Sequence, residues 1–106
     1  MQVQDGLIDK AITSILTIAK PRKIILFGSA ANGTMTANSD LDLLVIEEEI
    51  RGAREENVRL RSALRDLGIP VDIFAMTTER YEETKGVIGG LAYPAAKYGR
   101  VIYEAP

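Results

Sequence analysis

Apolar residues recur along this chain with two different periods. From Asp5 to Lys20 they fall at Leu7, Ile8, Ala11, Ile12, Ile15, Leu16 and Ala19, the stripe of an amphipathic helix. Pro21 is expected to end that helix, because proline cannot donate to the ladder and restricts the residue before it. "RKIILFG" (22–28), "DLDLLVIE" (40–47) and "PVDIFAM" (70–76) are short apolar runs that predict three strands, the first two of them buried. Between the second and third strands, 47–68 predicts a helix with Ile50, Ala53, Leu60, Ala63, Leu64 and Leu67 on its inner face. Glu47, Glu48 and Glu49 would open it, where negative charge suits the helix dipole, and Gly68 would stop it. "TTERYEETK" starts on a threonine cap and predicts a short helix. Gly86, Gly89 and Gly90 make a flexible connection, "LAYPAAKYG" a last helical turn, and "RVIYE" a final short strand. The small polar stretch from Ala30 to Asn38 predicts a loop or a short helical turn. Strands alternating with helices give an α/β or mixed α+β fold, a mixed sheet flanked by helices, in one domain over 1–106.

Composition narrows the chemistry. With 46% hydrophobic and 26% charged residues the chain is an ordinary globular sequence. A net charge of −2 gives no argument for membrane or direct nucleic-acid binding. Cysteine is absent, which excludes disulfides, thiolate nucleophiles and cysteine metal clusters. Histidine is absent too, so acid–base work falls to Asp, Glu, Lys or Tyr. No apolar run approaches membrane-spanning length and no signal pattern opens the chain, which predicts a cytoplasmic location.

The informative stretch is "FGSAANGTMTANSDLDLLVI" (27–46). A strand puts residues i and i+2 on one face, so Asp40 and Asp42 point together while Leu41, Leu43 and Val45 point into the other layer. Two ionised carboxylates side by side repel and resist desolvation, which calls for a cation. A hard divalent ion such as Mg²⁺ takes oxygen ligands and keeps positions open for phosphate. Asp72 adds a third acid in an apolar strand, and can share the cleft if that strand pairs beside the second one. Two ions held by the three acids would suit phosphoryl or nucleotidyl transfer, with Asp72 taking the proton from an attacking hydroxyl. Any one of these acids alone would more simply be a strand cap or a carboxylate satisfied by backbone donors. Gly28 and Ser29 follow a strand, where glycine lets phosphate approach backbone N–H groups. The P-loop "GK[ST]" and the dinucleotide G-x-G-x-x-G spacing are both absent.

Taken together, "GS" at 28–29, "DLD" at 40–42 and the acid of "VDIF" resemble the minimal nucleotidyltransferases of the DNA polymerase beta superfamily, the antitoxin-type partners of HEPN-domain proteins. The resemblance runs from the leading helix to the "GRVIYE" ending. It implies that Gly28, Ser29, Asn32 and Ser39 contact the nucleotide. It also implies that Asp40, Asp42 and Asp72 are catalytic and hold Mg²⁺, two ions with Mn²⁺ as a substitute. Asn32 stands where family members commonly carry an arginine, whose bidentate grip on phosphate asparagine cannot reproduce. The function this implies is transfer of a nucleoside monophosphate from an NTP, ATP by preference, to a hydroxyl on a HEPN toxin. The alternatives are a catalytically silent binding antitoxin and a small-molecule (antibiotic) nucleotidyltransferase. An oligomer is left open. Arg54, Arg61 and Arg65, with Arg51 and Arg59 nearby, read as a solvated helix face rather than a docking surface. Tyr81, Tyr93, Tyr98 and Tyr103 read as core-edge residues, with base stacking as the alternative.

Overall fold

The computed structural model describes residues 3–28 and 41–106. Ser29, Asn32, Ser39 and Asp40, and the polar stretch between the first two strands, lie outside the described residues. The elements in chain order are α1 (Val3–Leu16), β1 (Lys23–Phe27), β2 (Leu41–Glu47), α2 (Ala53–Ala63), β3 (Val71–Thr77), α3 (Thr78–Thr84), α4 (Ala92–Tyr98) and β4 (Arg100–Glu104), with a 3₁₀ turn at Arg65–Leu67. The four strands form one mixed sheet in the order β3-β2-β1-β4. β2 runs parallel to β3 and antiparallel to β1, and β1 is antiparallel to β4. This is the mixed sheet with flanking helices that the alternation of periods predicts.

Strand alternation splits the core into two layers. Ile24, Leu26, Leu41, Leu43, Val45 and Ile73 face α1 and α2, where Ile8, Ala11, Ile15 and Leu60 meet them. Ile25, Leu44 and Ile46 face the other way, against Tyr81 of α3 and Ala92 and Ala95 of α4. β2 is buried along almost its whole length, as a central strand covered on both faces must be. The edge strand β3 is shielded by α2, whose Asn57 Oδ1 accepts the Ala75 backbone N–H at 2.7 Å. Among the described residues, no helix is long and apolar enough to cross a membrane.

The helix boundaries depart from the expected ones. α1 stops at Leu16, before Pro21, where the Ile18 and Ala19 N–H groups both turn back to the Ile15 carbonyl. Leu16 is exposed rather than part of the inner stripe. α2 begins at Ala53, so Glu47, Glu48 and Glu49 do not open it; the acids of its first turn are Glu55 and Glu56. Glu47 is the last residue of β2, in register with Thr77 of β3. The ladder beside β3 outweighs glutamate's preference for a helix start. Ala53, expected on the inner face, is exposed. The expected stop holds: Gly68 closes the 3₁₀ turn with φ 88°, a left-handed conformation that suits glycine. Thr77 caps α3, its side chain accepting the Arg80 N–H at 3.1 Å. Arg54, Arg61 and Arg65 are exposed, whereas Arg59 is tied into the fold.

Candidate active site

The glycine turn and the acids meet at one end of the sheet. β1 delivers Gly28 there, and the first residues of β2 and β3 deliver Asp42 and Asp72. Asp42 lies in register with Phe27 on one side and with Asp72 on the other. Residues opposed across a parallel pair project from the same face, and adjacent strands are about 4.8 Å apart. Both carboxylates therefore leave the sheet together, on the side of Leu44 and Ile46 that α3 and α4 cover. Asp42 is half-buried and engaged within the fold, and Asp72 is exposed.

Gly28 has φ +74°, and a Cβ built on it would collide with Asp42 Oδ2. The residue is glycine for two reasons: only glycine adopts this φ without strain, and only glycine lets the Asp42 carboxylate lie against the turn. The turn and the acid are thus one unit, although twelve residues between them are undescribed. Ser29, Asn32, Ser39 and Asp40 belong to that stretch. Among the described residues no three acids or histidines cluster in a way that would hold a metal ion.

At the opposite end of β2 stands an array that the sequence pattern did not single out. Glu47 is buried, and its Oε2 has no partner among the described residues. Burial first, and then its hydrogen bond to Glu56, push its pKa up to about 8. Glu56 is held below the usual carboxylate range, first by its hydrogen bond from Arg59 and then by that from Glu47. Arg59 grips Glu56 through Nε (2.9 Å) and Nη2 (3.0 Å), and its Nη1 donates to the Ile18 carbonyl beyond α1. The signal was present in the alternation: Glu47 continues the series Leu41, Leu43, Val45 on the face toward α1 and α2.

The nucleotidyltransferase-domain family matches residues 8–95. No functionally curated protein matches the chain by sequence. Among solved structures, it is similar to a toxin–antitoxin crystal structure with AMP-PNP, at 22% identity and a TM-score of 0.70, covering 92% of this chain and 73% of that one. It is also similar to a candidate nucleotidyltransferase from Sulfolobus solfataricus, at 14% identity and a TM-score of 0.65, covering 93% of this chain and 78% of that one. At these identities the two structures speak for the fold, which is the nucleotidyltransferase fold. With the family match spanning most of its length and all of its described site residues, the chain belongs to the nucleotidyltransferase-domain family.

Proposed function

We propose that this protein transfers a nucleoside monophosphate from ATP to a hydroxyl group on a toxin partner, of the HEPN class that the sequence resemblance implies. The observation that supports it best is the register of Asp42 with Asp72 beside Gly28, in a chain of the nucleotidyltransferase-domain family. The similar toxin–antitoxin structure with AMP-PNP agrees with both the nucleotide and the kind of partner.

The donor set fits Mg²⁺: the register brings two carboxylates to one face, and the chain contains neither histidine nor cysteine to favour a softer metal. Asp42 and Asp72 would hold the ion, joined by Asp40, which precedes β2 in sequence. Bound there, Mg²⁺ would supply charge neutralisation for the triphosphate and for the departing pyrophosphate. The chain's own residues do the rest. Gly28 lets the Asp42 carboxylate lie against the turn at the sheet end where the phosphates would sit, and Ser29 would add a hydroxyl donor. The acceptor oxygen bonds to the α-phosphorus, the bond from that phosphorus to the pyrophosphate oxygen breaks, and the acceptor's proton passes to Asp72. Asp72 is exposed, so an acceptor carried on another protein can reach it.

The test uses ATP labelled at the α-phosphate, Mg²⁺ and a HEPN-domain partner. Label is expected on the partner with release of pyrophosphate, and Asp42→Ala abolishes it. A partner neutralised equally well by natural protein and by the unlabelling variant would replace this reading with a contact-only antitoxin.

A further inference from the structure

α4 ends in an exposed aromatic residue at the same end of the sheet as the candidate site. Tyr98 is 59% exposed, which is unusual for so large a ring. Its position follows from the register. Arg100 opposes Leu26 near the end of β1, and a Cβ on Gly99 would stand 3.0 Å from the Leu26 carbonyl. Tyr98, which precedes Gly99, therefore leaves the fold beside the Phe27–Gly28 end of β1. α4 packs through Ala92 and Ala95 on Ile25, Leu44 and Phe27, the face from which Asp42 projects. Asp42 on β2 and the start of β4 flank β1 on either side, two strand spacings or about 10 Å apart. That span matches a nucleotide whose phosphates lie over Gly28 and whose base reaches α4. Lys97 brings a cation to the same spot: its ammonium is 5.4 Å from the Tyr98 ring and 5.5 Å from the Tyr93 ring, and it donates to the Tyr93 hydroxyl at 3.1 Å. Tyr98 lies just beyond the family match, which covers residues 8–95.

We propose that Tyr98 is the platform on which the base of the nucleoside triphosphate stacks, a binding residue for the donor substrate. The inference rests on the nucleotidyltransferase reading of the Gly28–Asp42–Asp72 end. An aromatic ring accepts any base by stacking, so the platform sets affinity for a nucleotide over bare polyphosphate rather than a choice among bases.

The experiment compares binding of ATP and of inorganic tripolyphosphate, each with Mg²⁺, by titration calorimetry. Tyr98→Ala is expected to weaken ATP binding about tenfold and to leave tripolyphosphate binding unchanged. Tyr98→Phe keeps the ring and should bind ATP like the natural protein. Because Tyr98 is exposed, the melting temperature should not move. The proposal is overturned if Tyr98→Ala binds ATP as well as the natural protein does. It is also overturned if ATP and tripolyphosphate weaken together, which would mark a structural role. Loss of partner binding with ATP affinity intact would assign Tyr98 to the protein interface instead. A natural protein that binds neither ligand would remove the nucleotide reading as well, and so is distinct from a failure of Tyr98 alone.

Discussion

At the start of β2, Asp42 lies half-buried against Gly28, with exposed Asp72 opposite it. At the far end of the same strand, Glu47 is sealed beneath α2 and shares a hydrogen bond with Glu56, which Arg59 clamps. Both ends pair two carboxylates, yet they solve the repulsion in opposite ways. At the Glu47 end the protein removes a charge: burial keeps Glu47 protonated at neutral pH, and the remaining anion has its own arginine. At the Asp42 end, Asp72 stands open to solvent on the same face, and Asp42 lies between it and the Gly28 turn. An acid neutralised by its own fold is finished structure, whereas an exposed acid such as Asp72 keeps its charge at the surface, which is why the proposed chemistry is assigned to this end.

The sharpest way to break this comparison is to exchange chemistry for structure at each end. Asp42→Ala is expected to reduce transfer of labelled AMP to background, whereas Glu47→Gln should leave the rate per folded molecule unchanged. Circular dichroism supplies the folded fraction that normalises both. Equal loss in the two variants would mean that the ends do not differ in function.

Two glycines sharpen it further. Gly28 and Gly68 both have positive φ, +74° and +88°, but a Cβ on Gly68 meets nothing within 4 Å while one on Gly28 meets the Asp42 carboxylate. Gly68→Ala should therefore lose only the backbone cost, about 1–2 kcal/mol. Gly28→Ala should lose more, and should also impair Mg²⁺-dependent ATP binding. Adding Asp42→Ala to Gly28→Ala should restore part of the stability, since the obstructing carboxylate is then gone. Urea unfolding of the three variants measures this. Equal losses at the two glycines would show that the carboxylate moves aside freely.

Much of this was legible in the chain. The runs "RKIILFG" and "PVDIFAM" announce strands, and they fall within a residue of the observed β1 and β3 at each end. The coincidence of Asp72 with Asp42 was legible only as a condition, because strand order is set by which helix faces find partners and not by any local pattern. Glu47 shows where local reasoning failed. Three consecutive glutamates look like a helix start, but the first of them continues a central strand, and hydrogen bonding to β3 decided its fate. Its burial then rests on Glu56 and Arg59, contacts across a chain reversal that no sequence period encodes. Arg59 reads as part of a solvated face for the same reason: its carbonyl partner, Ile18, lies far back in the chain.

The smallest expected effect belongs to the Glu47 end and appears as a pH dependence. Glu47 has a folded pKa of about 8 against an ordinary value of 4.5. Between those values the folded protein holds a proton that the unfolded chain has released, so folding is favoured less as pH rises. The contribution is complete below about pH 4.5, declines as pH rises through that window, and is lost once pH passes about 8. Glu56 runs the other way. Its depressed pKa gives a contribution present above 4.5 and lost as pH falls through the folded value, so it does not shape the window that Glu47 controls. Glu47→Gln keeps the size of the side chain, can still donate to Glu56 and cannot ionise. The urea midpoint of the natural protein should therefore decline between about pH 5 and pH 8, and that of Glu47→Gln should lose this component. Asp42→Asn, at the open end of the strand, should retain it. A decline that persists undiminished in Glu47→Gln would mean that Glu47 is ionised in the folded protein. The two ends of β2 would then no longer differ in how they handle charge.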